Sequence, residues 1–345
     1  MKALTISAHG GLDKIECRDD LPIPDLKDPA DVRVRLAAGA LNHLDLFVVK
    51  GLPGVTITPP WVLGCDGAGV IEAVGTDVQS VAAGDRVIIN SGVSCHVCEY
   101  CKAGEHSLCV KFAVLGEHRP GTFAEYIVLP ARNVRRIPAS ISNESAAAFT
   151  LATLTAWRML VTRAQVQAGE HVLIQGIGGG VALAALQIAK LRGAHVWVTS
   201  GSDDKLVKAR ALGADETLNY RTTEVAKEIR ARTGKRGVNV VVDSVGVATW
   251  AQSLGALGKG GRLVSCGATS GPIVETDMRR MFWNQWSLMG STMGNEAEFD
   301  AITAEFAAGR LVPPVDAVFP LAEGRRAFEH LAGQTQFGKV VLSIG

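Results

Sequence analysis

Apolar positions in the first 130 residues fall into short β-type runs broken by glycine and proline, at 2–8, 32–36, 67–74, 85–89 and 123–129. That texture predicts an irregular all-β region. From about Ala168 the pattern changes to a regular alternation of apolar strand and amphipathic helix, which predicts βαβ units on a parallel sheet. The strands read at 171–175, 195–200, 216–220, 238–242 and 261–266. Between the first two, Val181, Ala184, Ala185, Ile188 and Leu191 recur at helical spacing. Ser202 is placed to cap the helix after the second strand, Gly213 to end it, and Gly234 to end the next. Beyond Gly290 come a helical run at 296–308, a turn at Pro313 and Pro314, a second helix at 322–331 and a last apolar strand at 339–344. A lone terminal strand must find a sheet, so this tail is expected to complete the first domain.

Length supports two domains, since 345 residues exceed the roughly 250–300 at which single cores stop growing. Hydrophobic content of 47% with 38 glycines suits sizeable cores joined by tight turns. With 35 basic against 34 acidic residues, nothing favours nucleic acid or an anionic membrane as partner, and small molecules are the expected ligands. The first residues carry no apolar leader core, and no run approaches about eighteen apolar residues, so a soluble cytoplasmic protein is expected.

Three stretches carry chemistry. Cys95, Cys98, Cys101 and Cys109 follow C-x2-C-x2-C-x7-C, the spacing of a closed four-thiolate structural zinc site. A closed site leaves no position for substrate, so this metal holds a lobe, at about 91–115, and does not catalyse. The junction of the first βαβ strand and helix reads Gln175-Gly176-Ile177-Gly178-Gly179-Gly180-Val181-Ala182. A glycine-rich turn there lets backbone amides and a helix N-terminus meet a pyrophosphate. Its best register is Gly176, Gly179 and Ala182. At the end of the second strand, where NAD sites carry an acid for the ribose hydroxyls, stands Ser200, followed by Gly201 and Lys205. Hydroxyl and ammonium suit a 2′-phosphate, so NADP(H) is expected over NAD(H), with Tyr220 as a further contact. Asp203 and Asp204 fall in the first helical turn, where acids complement the dipole.

The chain resembles the medium-chain dehydrogenase/reductase superfamily, which contains zinc alcohol dehydrogenases and quinone oxidoreductases. The resemblance rests on Leu41-Asn42-His43-Leu44-Asp45, Leu63-Gly64-Cys65-Asp66-Gly67-Ala68-Gly69-Val70, the four cysteines, Leu154-Thr155-Ala156-Trp157, the glycine-rich turn and Gly338-Lys339-Val340-Val341-Leu342, and it spans essentially the whole length. It implies an α/β protein: a GroES-like, mostly-β catalytic domain from 1–152 and 292–345, a Rossmann doubly wound parallel-sheet domain at 153–291, and an active site in the cleft between them. It also implies a homodimer or homotetramer, and a cofactor-phosphate contact for Lys339. The cofactor set then comprises Thr155, Gly176, Gly178, Gly179, Gly180, Val181, Ser200, Lys205, Tyr220, Cys266, Gly267 and Lys339.

The departures matter more. Zinc alcohol dehydrogenases of this kind would carry cysteine at Asn42, a His-Glu pair at Cys65 and Asp66, a cysteine or acid near Leu151, and Ser or Thr at Leu44 to relay a proton. A catalytic zinc needs about three protein ligands and one open position. Cys65 and Asp66 alone do not supply them, so the chain is expected to keep one structural zinc and to lack the catalytic one. An enone, quinone or activated carbonyl then becomes the expected hydride acceptor, its oxyanion held by hydrogen-bond donors. Asn42, His43, Asp45, Cys65 and Asp66 are the catalytic candidates, with Asn42 or a backbone amide polarising the carbonyl. The alternatives are a zinc-dependent alcohol dehydrogenase with atypical ligands His43, Cys65 and Asp66, and a dinucleotide-binding protein without catalysis.

Overall fold

The structure, a computed structural model, describes residues 1–345, and the chain divides into two units, Met1–Leu151 with Gly294–Gly345, and Ala152–Met293. The first is organised by the strand Asp31–Ala40, whose Val32, Val34 and Leu36 are buried on one face in alternation with more exposed neighbours. It pairs antiparallel with Asp66–Val74 along its length, with Tyr126–Pro130 at its start and with the last strand, Lys339–Ser343, at its end. The seven-stranded sheet continues outward through Arg86–Ile89 to Val134–Arg136 on one side and to Val315–Pro320 on the other. A second sheet holds Ile15–Arg18, Ala3–Ile6 and Trp61–Val62. Phe123 and Phe328 meet edge to face at 6.2 Å in the core of this unit.

Register decides where chemistry collects. Ala40 lies opposite Asp66 on one side and Val341 on the other, and the N–H of Leu41 donates to the carbonyl of Val340 at 2.8 Å. Asn42, Asp66 and Lys339, far apart in sequence, therefore meet at one end of the central strand.

The second unit is a six-stranded parallel sheet in the order Glu216–Asn219, His195–Ser200, His171–Ile174, Val238–Asp243, Leu257–Ser265, Ser287–Gly290. Numbered along the chain this is 3-2-1-4-5-6, the doubly wound order, whose direction reverses between the first and fourth strands. Val172, Leu173, Ile174, Val196, Val198, Val240 and Val241 are fully buried, as expected of strands covered on both faces. Ser202 caps the helix Asp203–Ala211 by accepting the N–H of Lys205, and Gly213 follows its end at φ 100°.

Two segments differ from their sequence reading. Residues 143–157, assigned no element, form the helix Asn143–Trp157. Its run AAAFTLATLTA has no polar face to create a 3.6 period, and Ala146, Ala147, Phe149, Leu154 and Ala156 are all buried. Residues 281–286, likewise assigned no element, belong largely to the helix Met278–Asn284, capped by the side chain of Asp277. No helix is long and apolar enough to cross a membrane.

Candidate functional site

A buried polar cluster occupies the end of the central strand in the first unit. Gly64, at φ 102°, turns the chain into Cys65 and Asp66, and a Cβ there would meet the Phe123 ring at 2.3 Å. Asp66 is wholly buried and all its bonds go to protein: Oδ1 accepts the N–H of Leu151 at 2.8 Å, and Oδ2 accepts Asn42 Nδ2 at 2.9 Å and Lys339 Nζ at 2.8 Å. Lys339, 4% exposed, also donates to Asn42 Oδ1 at 2.6 Å. Carboxylate, ammonium and amide thus close a ring in which each satisfies the others, the condition under which buried charges persist.

Asp45, also buried, accepts the N–H of Asn42 at 2.7 Å with one oxygen, securing the N-terminus of the helix His43–Lys50. Its other oxygen faces the Cys65 thiol at 3.4 Å. Burial lifts the Asp45 carboxyl to about 7, against the pull of the Asn42 amide and the Lys339 charge. Burial, then the charges of Asp45 and Asp66, pushes the Cys65 thiol far up, so it stays neutral. His43 opens the helix and takes no part in these bonds. Burial, then the nearby Lys339 ammonium, holds its imidazole below the usual value, hence neutral near pH 7.

Of the sequence-derived catalytic candidates, Asn42, Asp45, Cys65 and Asp66 are joined by these bonds, and His43 is next to Asn42 in the chain. Asn42 directs its Nδ2 to Asp66 and, at 3.4 Å, to the carbonyl of Ala40, while its Oδ1 receives Lys339. No N–H of that amide is left over to polarise a substrate carbonyl. Lys339, implied at the cofactor phosphates, is instead the counter-ion of Asp66. Sequence reasoning missed that role, and one signal existed: a buried acid such as Asp66 calls for a cation or several donors.

In the second unit the glycine turn follows the strand His171–Ile174 and opens the helix Gly180–Leu191. Gly176 takes φ 69° and Gly178 φ 129°, conformations that favour glycine. Gly179 is the N-cap without a side-chain cap, and a Cβ on it would meet nothing within 4 Å. The first amides of the helix, from Gly180, Val181 and Ala182, have no intrahelical acceptor, and Gly179, Gly180 and Val181 are half-buried, which fits a pyrophosphate. A buried relay fixes the turn. Asp243 accepts the N–H groups of Val245 and Gly246 and the hydroxyls of Thr249 and Ser253; Ser253 receives Gln175 Nε2 at 3.0 Å; Gln175 Oε1 receives Thr199; and Thr199 Oγ1 receives the N–H of Gly176 at 3.0 Å. Asp243, Gln175, Thr199 and Ser253 were not singled out in the sequence, because nothing local distinguishes them.

Ser200, Tyr220, Cys266 and Gly267 all lie at the carboxyl ends of parallel strands, the ligand edge of such a sheet. Ser200 Oγ accepts the N–H of Ser202 at 3.1 Å. A Cβ on Gly201 would collide with Arg221 Nε and Tyr220 Oη, both at 2.8 Å, so a guanidinium and a phenol lie over that glycine. Arg221 had not been anticipated. Asp203 is turned toward Asn219, whose Nδ2 it accepts at 2.7 Å. Burial pushes the Cys266 thiol up to about 12, while Thr155 is buried with its hydroxyl 3.9 Å from Met293 Sδ.

The four cysteines converge, with every Sγ within 4.8 Å of the others, Cys98 to Cys101 at 3.5 Å and Cys95 to Cys101 at 4.0 Å. Four sulfurs at about 2.3 Å from one zinc stand about 3.8 Å apart, so the donor set fits that ion. The N–H groups of Cys95 and Lys111 donate to Cys109 Sγ at 3.2 and 3.3 Å, and backbone N–H groups draw the Cys98 thiol down to about 6. Burial and adjoining thiols push Cys101 up to about 12, since such crowded sulfurs cannot all ionise without a cation.

Comparison with known proteins bears on the family of the chain. Residues 28–139 match the model of the alcohol dehydrogenase GroES-like domain, and residues 180–308 that of the zinc-binding dehydrogenase. The chain is similar to a zinc-type alcohol dehydrogenase-like protein of Schizosaccharomyces pombe, 35% identical over 97% of this chain and 96% of that one. Human quinone oxidoreductase is 28% identical over 100% of this chain and 98% of its own. The crystal structure of an NAD-dependent alcohol dehydrogenase superposes with a TM-score of 0.96 at 45% identity, covering all of both chains.

Proposed function

The chain belongs to the medium-chain dehydrogenase/reductase superfamily, an oxidoreductase acting on small molecules, and on that premise we propose that it uses NADP(H) to reduce enones, quinones or activated carbonyls without a catalytic zinc. The observation that carries this reading is the Lys339 ammonium bonded to both Asp66 and Asn42. A catalytic zinc would need Asp66 as a ligand, yet both its oxygens are engaged, and a fixed cation already neutralises it. A dication beside that ammonium would be repelled at short range. The other candidate donors are a neutral, buried thiol at Cys65 and an amide at Asn42, which is a poor zinc ligand. His43, Cys65 and Asp66 are also not among the groups of potential ligands that lie within 4.8 Å of one another.

The nicotinamide, when bound, supplies a hydride and its electron pair, and the proton that completes reduction comes from solvent. The chain supplies placement and donors. His43, neutral and outside the bonded cluster, is the side chain suited to donate to the oxygen on which charge develops, in place of the Lewis acid. Asp45 and Asp66 hold the helix start that carries His43. The uncapped turn at Gly179 receives the pyrophosphate, and Ser200, Lys205, Tyr220 and Arg221 receive a 2′-phosphate, with no acid at the strand end to repel it. A neighbour at 45% identity is NAD-dependent by its name, so NADH is the control against which the preference for NADPH is measured.

The test sets NADPH with a panel of enones and quinones against NADP with simple alcohols, in protein of defined metal content. Turnover is expected on the conjugated substrates, and His43→Ala lowers kcat about 100-fold while leaving NADPH binding intact. Alcohol oxidation that depends on a zinc ion lost in Cys65→Ser overturns the reading.

A further inference from the structure

We propose that His96, His106 and Glu296 form a second metal site, for a divalent transition ion of the zinc type, which fastens the cysteine lobe to the helix Glu296–Ala307. The four-thiolate site cannot do this, because all its ligands lie within residues 95–109 and tie that loop only to itself. The donor atoms of His96, His106 and Glu296 lie within 4.8 Å of one another, and His96 Nε2 stands 3.4 Å from Glu296 Oε1. Ligands at about 2.0–2.1 Å from a tetrahedral zinc stand about 3.4 Å apart, so this pair is already at coordinating separation.

The local backbone accounts for the arrangement. His96 takes φ 60°, the left-handed region uncommon outside glycine, and this places its imidazole beside that of His106, with ring centroids 4.9 Å apart. His106 begins the short turn His106–Leu108, and its Nδ1 lone pair faces the backbone N–H of Glu296 at 3.4 Å, a long contact that a cation would replace. Glu296 is not needed as a cap: Asn295 Oδ1 accepts the N–H of Glu298 at 2.8 Å, and the Glu298 carboxylate accepts the N–H of Asn295 at 2.6 Å. Its own carboxylate is thereby left to the histidines. Two imidazoles and a carboxylate suit zinc, cobalt or nickel, and three protein ligands leave a fourth position for water or an anion. Side-chain exposures of 22% for His96 and 32% for Glu296 let an ion enter from solvent.

Cobalt tests this directly. Zinc-loaded protein, freed of loose metal, is titrated with Co2+, and about one further equivalent is expected to bind with weak visible bands and no thiolate-to-cobalt charge transfer, since the sulfurs stay with zinc. Glu296→Gln and His106→Ala should each weaken that binding at least about tenfold, with the circular dichroism spectrum and the tightly held zinc unchanged. Bound ion also raises the thermal midpoint of the parent protein in a concentration-dependent way that the variants lose. No binding beyond the thiolate zinc, or binding unaltered in both variants, shows an ion pair only and ends the proposal. Turnover on enones is not part of the readout, so failure here leaves the catalytic reading standing.

Discussion

Asp66 in the first unit and Asp243 in the second are both 0% exposed, and the chain satisfies them by opposite means. Asp66 has a cation, Lys339, on one oxygen and a single backbone N–H on the other. Asp243 has no cation and accepts only hydroxyl and backbone N–H groups. The first arrangement balances a buried negative charge with a buried positive one. The second spreads a carboxylate over many dipoles to hold a turn in shape. A buried acid is therefore uninformative until its partners are known.

The largest effect expected from breaking this contrast is in Lys339→Met, which leaves Asp66 charged, buried and unpaired. It should cost about 3–5 kcal/mol in urea unfolding. Adding Asp66→Asn should recover most of that, because no buried charge then remains. If Lys339→Met is no more harmful than a change at Asp243, charge balance is not what Lys339 provides.

Asp243→Asn keeps the shape but turns one acceptor into a donor facing donors. It is expected to cost about 1–3 kcal/mol and, by loosening the relay to Gly176, to weaken NADPH binding about tenfold in a fluorescence titration. Ser200→Asp sharpens the comparison by placing an acid at the ligand edge of the second unit. NADPH affinity should fall about tenfold while NADH affinity holds or improves. Equal losses for both nucleotides would remove the 2′-phosphate from this edge.

A pH slope from Asp45 gives a further contrast within the first unit. Its folded pKa, about 7, lies above the ordinary carboxylate value, so the native state holds the proton more tightly than the unfolded chain. Its contribution is therefore greatest at acid pH and declines as pH rises from about 4 toward 7. Asp45→Asn should flatten this slope in denaturation midpoints measured at pH 5 and pH 8. An unchanged slope would assign it to other groups.

Much of the fold was readable because its signals are local. Apolar strands and amphipathic helices alternate after Ala168, and Ser202 and Gly213 punctuate a helix at the places their backbone preferences require. The helix Asn143–Trp157 escaped for the complementary reason, since burial on nearly every side erases the period that reveals a helix. In the candidate site, the departure at Asn42 and near Leu151 from the ligands that the resemblance implies could be seen in the letters. The partner that answers it could not.

For the thiolate lobe and the glycine turn, spacing over fewer than twenty residues was enough, because the atoms that must meet are neighbours along the chain. The Lys339–Asp66 pair, 273 residues apart, and the step from Gln175 to Ser253, 78 apart, depend on which strands lie side by side and in what register. Register follows from burying whole sheet faces, a collective balance of apolar area and backbone hydrogen bonds, and no short segment carries it. The packed chain therefore joined Lys339 to a buried carboxylate, engaged the Asn42 amide with Asp66, Ala40 and Lys339, and held the His43 imidazole below its usual value.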